Sequence, residues 1–450
     1  MSDRYIEVPY GNQELKIKIN DANLAGVIVA NNVPIADEAE TLRYAITHPI
    51  QSKSLEDFLK GAEDVLFIVN DATRPTPTSR VLDSIFQIVK PRNPSFIVAT
   101  GTHRFPTEAE YYQIFGHFYY DYKPQIFAHD SRADHEMVYI GTSRGGTRLM
   151  VNKRVMAAGK LVIISSVEPH YFAGYTGGRK SFFPGVASYA SIEQNHRHSM
   201  LPEAKILALE GNPVHEDMVD ALQSLKDKEI FSIMTVLDKD HRIYSAASGD
   251  INASFKAAAD KANEVFVVRI PEKADIVVTV AKFPMDIDFY QSVKAVDNAK
   301  LALKDKGIII LVSSCRAGTG DTGFIKLMSS CNNPKDVFDR IKEGYVVGYH
   351  KAAKLAEIYM WAEIYGVTDL PDDLLKSMFI KPFDSLQQAL DESIRKKGTH
   401  ASVLFMMDGG LTVPVLENNA LTNRTYCEPS SGSVILSPAS SPLLGREDVK

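Results

Sequence analysis

Apolar residues along the chain gather into short runs, each closed by a polar or glycine-containing turn. The clearest are DVLFIVND (64–71), PSFIVATGT (94–102), KLVIISSV (160–167) and FSIMTVLD (231–238). Runs of this length are strand-like, and amphipathic helical stretches such as SRVLDSIFQIVK (79–90) separate several of them. Strands alternating with helices predict an α/β fold with mainly parallel sheets. A second series begins at IPEKADIVVTVA (270–281), where Pro271 and the neighbouring charges mark a linker. It continues through GIIILVSSC (307–315) and ASVLFMMDGG (401–410), with a helical stretch over 347–366. The pattern predicts two α/β domains, residues 1–270 and 271–420. The serine- and proline-rich tail, about 420–450, is hard to place and can return to the first domain.

Composition narrows the function classes. The 450 residues are 45% hydrophobic and 24% charged, an ordinary soluble balance. A formal charge of −6 leaves no basic footprint, which argues against nucleic acid as a partner. Cys315, Cys331 and Cys427 are too few and too scattered for a disulfide framework or a cysteine zinc site. The N-terminal stretch MSDRYIEVPYGNQELKIKI alternates charged and apolar residues and has no signal-peptide core. No apolar run reaches the ~18–20 residues that span a bilayer. A reducing cytoplasm without a membrane partner is the expected setting.

In open α/β sheets, ligands bind beyond the carboxyl ends of the strands, and there the polar material collects. NDATRPTPTSR brings Asp71, Arg74 and several hydroxyls ahead of a helix. It reads either as an anion site with Arg74 as a carboxylate clamp or as a capped helix with a surface ion pair. ATGTHR puts His103 at a strand end, as a general base or as a structural histidine. EPHYFAGYTGGRK (168–180) combines His170, three glycines and Lys180. Its spacing matches neither a Walker A loop nor G-x-G-x-x-G, which disfavours a conventional NAD dehydrogenase. The lysine reads as a group presented for covalent attachment or phosphate binding, or as an exposed side chain of a glycine-rich loop. His196 and His198 are two apart and do not share a helix face, and either can offer an imidazole to a metal. Gln291 and Lys294, three apart in DFYQSVKAVDNAK, can close over a carboxylate or form a solvated helix face.

Taken in order, DATRP, GTHR, EPHYFAGYTGGRK, FFPGVAS with NHRH, GNPVHEDM, YQSVKA and GTGDTGF resemble the nickel-dependent lactate racemase family. The resemblance implies two α/β domains with the active site in the cleft between them. It implies nickel and pyridinium-3,5-bisthiocarboxylic acid mononucleotide, the nickel-pincer nucleotide, supplied by cofactor-synthesis enzymes. By position in the motifs, Lys180 is the covalent tether and His196 the nickel ligand, with His198 close by. His103 and His170 become the acid–base pair, and Arg74, Lys294, Gln291 and Tyr290 the substrate-binding groups. Asp71, Gly177 and Gly178 fall near the cofactor. The implied reaction is racemisation or epimerisation of a small 2-hydroxy acid, lactate by default, through hydride transfer and a 2-keto acid. Malate, larger 2-hydroxy acids and sugar acids stay open as substrates, and a non-catalytic nickel or cofactor carrier is the reading from a different class.

Overall fold

The computed structural model describes residues 2–62, 64–225 and 227–417. The tail expected to return to the first domain, with Cys427, lies outside the described residues. Cys315 and Cys331 are free and buried.

Each half of the chain is built on a six-stranded sheet. The first runs in spatial order Ile243–Gly249, Glu229–Leu237, Lys160–Ser166, Val65–Asn70, Ser95–Ala99, Ile126–Ala128, parallel except for Ile243–Gly249 at one edge. Its central strands are apolar on both faces because both are covered. Leu66, Ile68, Ile97 and Ile163 pack into one core, while Phe67, Val69, Val98 and Ile164 pack into another on the opposite face. The helix Thr78–Val89 covers the second of these with Val81, Leu82 and Ile85.

The second sheet is wholly parallel, in order Lys381–Pro382, Glu363–Val367, Leu303–Val312, Ala274–Val280, Val403–Met406, Leu24–Ile28. Its edge strand thus comes from the start of the chain. The hairpin Asp3–Tyr10 and Gln13–Asn20 lies against the same sheet, sharing a core of Ile6, Val8, Ile17 and Ile19 with Ile276, Val278 and Phe405. The expected division into 1–270 and 271–420 therefore does not follow the sheets at the N-terminus. Residues 3–28 pack with the second half, because the apolar face of the hairpin needs a sheet to cover it. The helical reading of 347–366 also joined two elements, the helix Tyr349–Tyr359 and the buried strand Glu363–Val367. No helix among the described residues is long and apolar enough to cross a membrane.

Both sheets reverse strand order at a central strand. Val65–Asn70 lies between Lys160–Ser166 and Ser95–Ala99, and Ala274–Val280 lies between Leu303–Val312 and Val403–Met406. Such switch points open a crevice at the carboxyl ends of the strands. The loops after Asn70, Ala99 and Ser166 therefore emerge side by side.

Candidate active site

Hydrogen bonds stitch these three loops together. Thr76 donates to Asn70 Oδ1 at 2.8 Å and shares a 2.9 Å bond with Ser166 Oγ. Asn70 Nδ2 donates to Ser181 Oγ at 3.1 Å, and Gly101 N–H to the Gly185 carbonyl at 2.9 Å. After Ser166 the chain makes a two-residue antiparallel ribbon, Pro169–His170 with Gly174–Tyr175, and then the short helix Arg179–Phe182. His170 is thus the buried last residue of the ribbon's first strand, and Lys180 lies in that helix.

The glycines of this segment serve the protein's own interior. Gly177 has φ +85°, and a Cβ there would lie 2.6 Å from Val167 Cγ2 and 2.9 Å from the Ser166 carbonyl. At Gly178, φ +51°, a Cβ would meet Met234 Cε at 2.8 Å. At Gly177 and Gly178, expected near the cofactor, the missing side chains make room for the chain itself.

Asp71 is bound to His103: Nδ1 of the imidazole lies 2.7 Å from Asp71 Oδ2, and Thr73 donates to Oδ1 at 2.7 Å. Burial alone would raise the Asp71 carboxyl. The bond and charge of His103, with Thr73 and the Arg74 charge, outweigh it and hold the group below the ordinary carboxylate range. An ionised carboxylate only accepts, so His103 carries its proton on Nδ1 and leaves Nε2 free as a base. His170 is the converse. Its Nδ1 accepts the Ala173 N–H at 3.3 Å, so in the neutral ring the proton sits on Nε2 as a donor.

Arg74, His170 and Lys294 line one pocket, together with Glu168, Tyr171, Met285 and Asn298. Pro169, Ile206 and Leu411 give it an apolar side. Its walls come from both halves: Lys294 and Asn298 are one turn apart on the helix Phe289–Ala299, which Asp288 caps by accepting the Gln291 N–H at 2.7 Å. Arg74 has no ion-pair partner among the described residues. Burial and then the Arg74 charge push Lys294 down to about 8, against the opposing pull of Glu168 and Asp288. Burial, followed by Lys180, Arg74 and Lys294, holds His170 well below its usual range. Two cations, Arg74 and Lys294, against the one lining carboxylate of Glu168 leave a positive excess that favours an anion within the cavity.

A second group surrounds the buried ring of Phe172. His196 lies 5.2 Å from it, His170 4.6 Å and His350 5.3 Å, with the Lys180 ammonium 5.9 Å away. Burial, then Arg74, Arg179 and Lys294, lowers Lys180 well below the normal lysine range, which favours a neutral, nucleophilic amine. Among the described residues no side chain hydrogen-bonds the His196 ring, which feels the Ile192 backbone, whereas His198 Nε2 is engaged by Asp217 at 3.4 Å and Thr147 at 3.3 Å. No group of three or more His, Cys, Asp or Glu able to hold a metal exists among the described residues. A metal here would draw one imidazole, that of His196, from the protein and its other donors from a bound group. The residues present fit such an arrangement.

Of the residues expected to act on the substrate, His103, Gln291 and Tyr290 are not in the lining of this pocket. Gln291 stands in the first turn of its helix and does not line the pocket; Asn298, on the pocket side of the same helix, does. Tyr290 also lies outside the lining and is covered by Lys351, whose ammonium sits 3.5 Å from its ring centre. Asn298, Tyr171 and His350 were missed in sequence because an amide, a phenol and an imidazole on apolar helices or loops carry no spacing signal.

Arg179, next to Lys180, donates to His215 Nδ1 and stacks over Phe255 at 4.1 Å. Burial and then the Arg179 charge lower His215 from 6.5 to about 2. The stability this neutral histidine contributes is full above pH 6.5 and is lost as pH falls toward 2. Between pH 6 and 4, unfolding free energy should therefore fall less steeply for His215→Asn, by up to ~1.4 kcal/mol per pH unit. Identical slopes in denaturant titrations would contradict the assignment.

The chain matches the lactate racemase N-terminal domain over residues 10–207 and the lactate racemase C-terminal domain over residues 270–415. The lactate racemase of Thermoanaerobacterium thermosaccharolyticum is 32% identical over 417 residues, covering 89% of this chain and 97% of that protein. The Lactiplantibacillus plantarum lactate racemase is 31% identical over 420 residues, covering 90% and 98%. The solved T. thermosaccharolyticum apoprotein superposes with a TM-score of 0.85 over 92% of this chain and all of that one, at 31% identity. A Thermotoga maritima protein, 15% identical with a TM-score of 0.66 over 84% of this chain and 98% of its own, shares the fold alone. With both family domains in order and this identity over nearly the whole chain, the protein belongs to the lactate racemase family of isomerases.

Proposed function

We propose that the protein racemises a small 2-hydroxy acid, lactate by default, in a cleft between its two halves. The observation that carries this reading is the convergence of Arg74, Lys294 and His170 on one pocket without a carboxylate paired to Arg74. A substrate carboxylate supplies the missing charge, and Arg74 is suited to hold it in bidentate fashion. Pro169, Ile206, Met285 and Leu411 favour a short apolar substituent over a chain of hydroxyls, which supports lactate above a sugar acid.

Lys180 would tether the nickel-pincer nucleotide and His196 would give the metal its imidazole. When bound, that group supplies a reversible hydride acceptor for Cα, which avoids a carbanion beside a carboxylate. The protein's own part is the hydroxyl proton. His103 Nε2 takes it, and Asp71 stabilises the imidazolium that results. His170 presents Nε2–H to the same oxygen from the pocket wall. For the opposite enantiomer His170 must accept at Nε2, so its proton moves to Nδ1 and the long bond from Ala173 opens. Lys294 and Arg74 stabilise negative charge on the substrate oxygens. Loading would depend on the cofactor-synthesis enzymes in the same cytoplasm.

The test is a panel of enantiopure acids (lactate, malate, phenyllactate and gluconate) incubated with the loaded protein and resolved by chiral chromatography. Lactate should approach a one-to-one mixture from either enantiomer. Racemisation of another acid with lactate untouched would overturn the substrate assignment, and no turnover of any 2-hydroxy acid would overturn the reading itself.

A further inference from the structure

His350 brings an imidazole from the second half to the ring cluster around Phe172. It stands in the first turn of the helix Tyr349–Tyr359 and is 3% exposed. Both its nitrogens are engaged: Nδ1 with the Tyr345 hydroxyl at 2.9 Å, and Nε2 with the Tyr171 hydroxyl at 3.1 Å. Tyr171 belongs to the first half and lines the pocket. Its ring stacks on His170, with centroids 5.0 Å apart and planes 28° from parallel, while Phe172 meets the His170 ring edge-on.

His170 itself has little polar restraint. Among the described residues its one hydrogen bond is the long contact from the Ala173 N–H to Nδ1. A 3.3 Å bond constrains an imidazole weakly, so ring orientation depends on the surfaces packed against it. Tyr171 is the surface on the pocket side, and the hydroxyl at its far end is held by His350.

We propose that His350 is a positioning residue for the reaction: through the Tyr171 hydroxyl it fixes the plane on which the His170 imidazole rests. The device spans the two halves. His170 is aligned only when the helix Tyr349–Tyr359 is seated on the loop after Ser166, which links contact between the halves to the state of an acid–base group. The inference rests on the racemase reading for His170 and adds to it a residue that touches neither substrate nor tether.

The test uses Tyr171→Phe, which keeps the stacked ring and removes only the hydroxyl, alongside His350→Phe and the double variant. In the full-length apoprotein, imidazole ¹⁵N NMR should show His170 as a single Nε2–H tautomer, its signal assigned by loss in His170→Gln. Both single variants should give a mixture of tautomers. In the loaded enzyme kcat should fall about tenfold in each single variant, with KM changed by less than about twofold and the adduct on Lys180 retained. The double variant should be no worse than either single one, because both break the same link. A wild-type kcat in either single variant, losses that multiply in the double, or an unchanged His170 tautomer would each overturn the proposal. If the wild type racemises nothing, the racemase reading fails, and the NMR comparison still decides whether His350 orients His170.

Discussion

Chain carrying Lys180→Ala, produced together with the cofactor-making enzymes, is expected to show no covalent mass adduct and no measurable racemisation. The loss should exceed the ~10²–10³-fold that removal of one preorganised contact typically costs, because the whole hydride acceptor departs with the amine. Lys180→Arg is the informative companion. It keeps a cation beside Phe172 but cannot provide the neutral primary amine that burial and the Arg74, Arg179 and Lys294 charges favour at this site. Both variants should therefore fail alike. Intact-mass spectra would decide the matter before any rate is measured: an adduct on either variant would place the tether elsewhere.

A second large effect is expected from Asp71→Asn. The change is nearly isosteric, so the loops after Asn70 and Ala99 should keep their places. It removes the charge that stabilises protonated His103, and the amide can turn its NH₂ toward Nδ1 and drive the proton to Nε2, the wrong nitrogen for a base. kcat should fall by about 10²–10⁴-fold, within the range attributed to general acid–base catalysis, with a much smaller change in KM. Wild-type Asp71 is held below the ordinary carboxylate range, so the dyad stays intact at neutral pH and is lost as pH falls through that lowered value. The acid-side fall in kcat should therefore change in the variant, which has no carboxylate to protonate there. A kcat within a factor of two of wild type, with an unshifted pH profile, would remove Asp71 from the reaction.

What could be read in the sequence was whatever local chemistry determines. The runs ending at Asn70, Ala99 and Ser166 announced strands because β-branched and aromatic residues buried on both faces leave no helical period. Their polar ends marked the crevice, and Arg74, His170 and Lys294 meet at one pocket. Roles set by distant contacts were not legible. Nothing in DATRP says that Asp71 faces a histidine thirty-two positions later, and nothing in TGGRK says that Gly177 gives way to Val167 rather than to a ligand. The different surroundings of His196 and His198 were not legible either: one ring lies beside Phe172, the other faces Asp217. The alternation in YIEVPY and LKIKIN is a clear hairpin signal, but the sheet that receives it lies near the other end of the chain.

That last arrangement has a consequence for synthesis. Val27 pairs with Phe405, so an early strand of the chain waits for a far later one before their sheet can close. The first sheet is complete by Gly249 and can assemble earlier, while the hairpin Asp3–Asn20 stays without its covering surface. Pairings this remote in sequence form slowly, and an uncovered apolar ribbon is a point of self-association until they do. A nascent chain stalled before Val403 would carry an assembled first sheet and a hairpin, Asp3–Asn20, still without its covering surface.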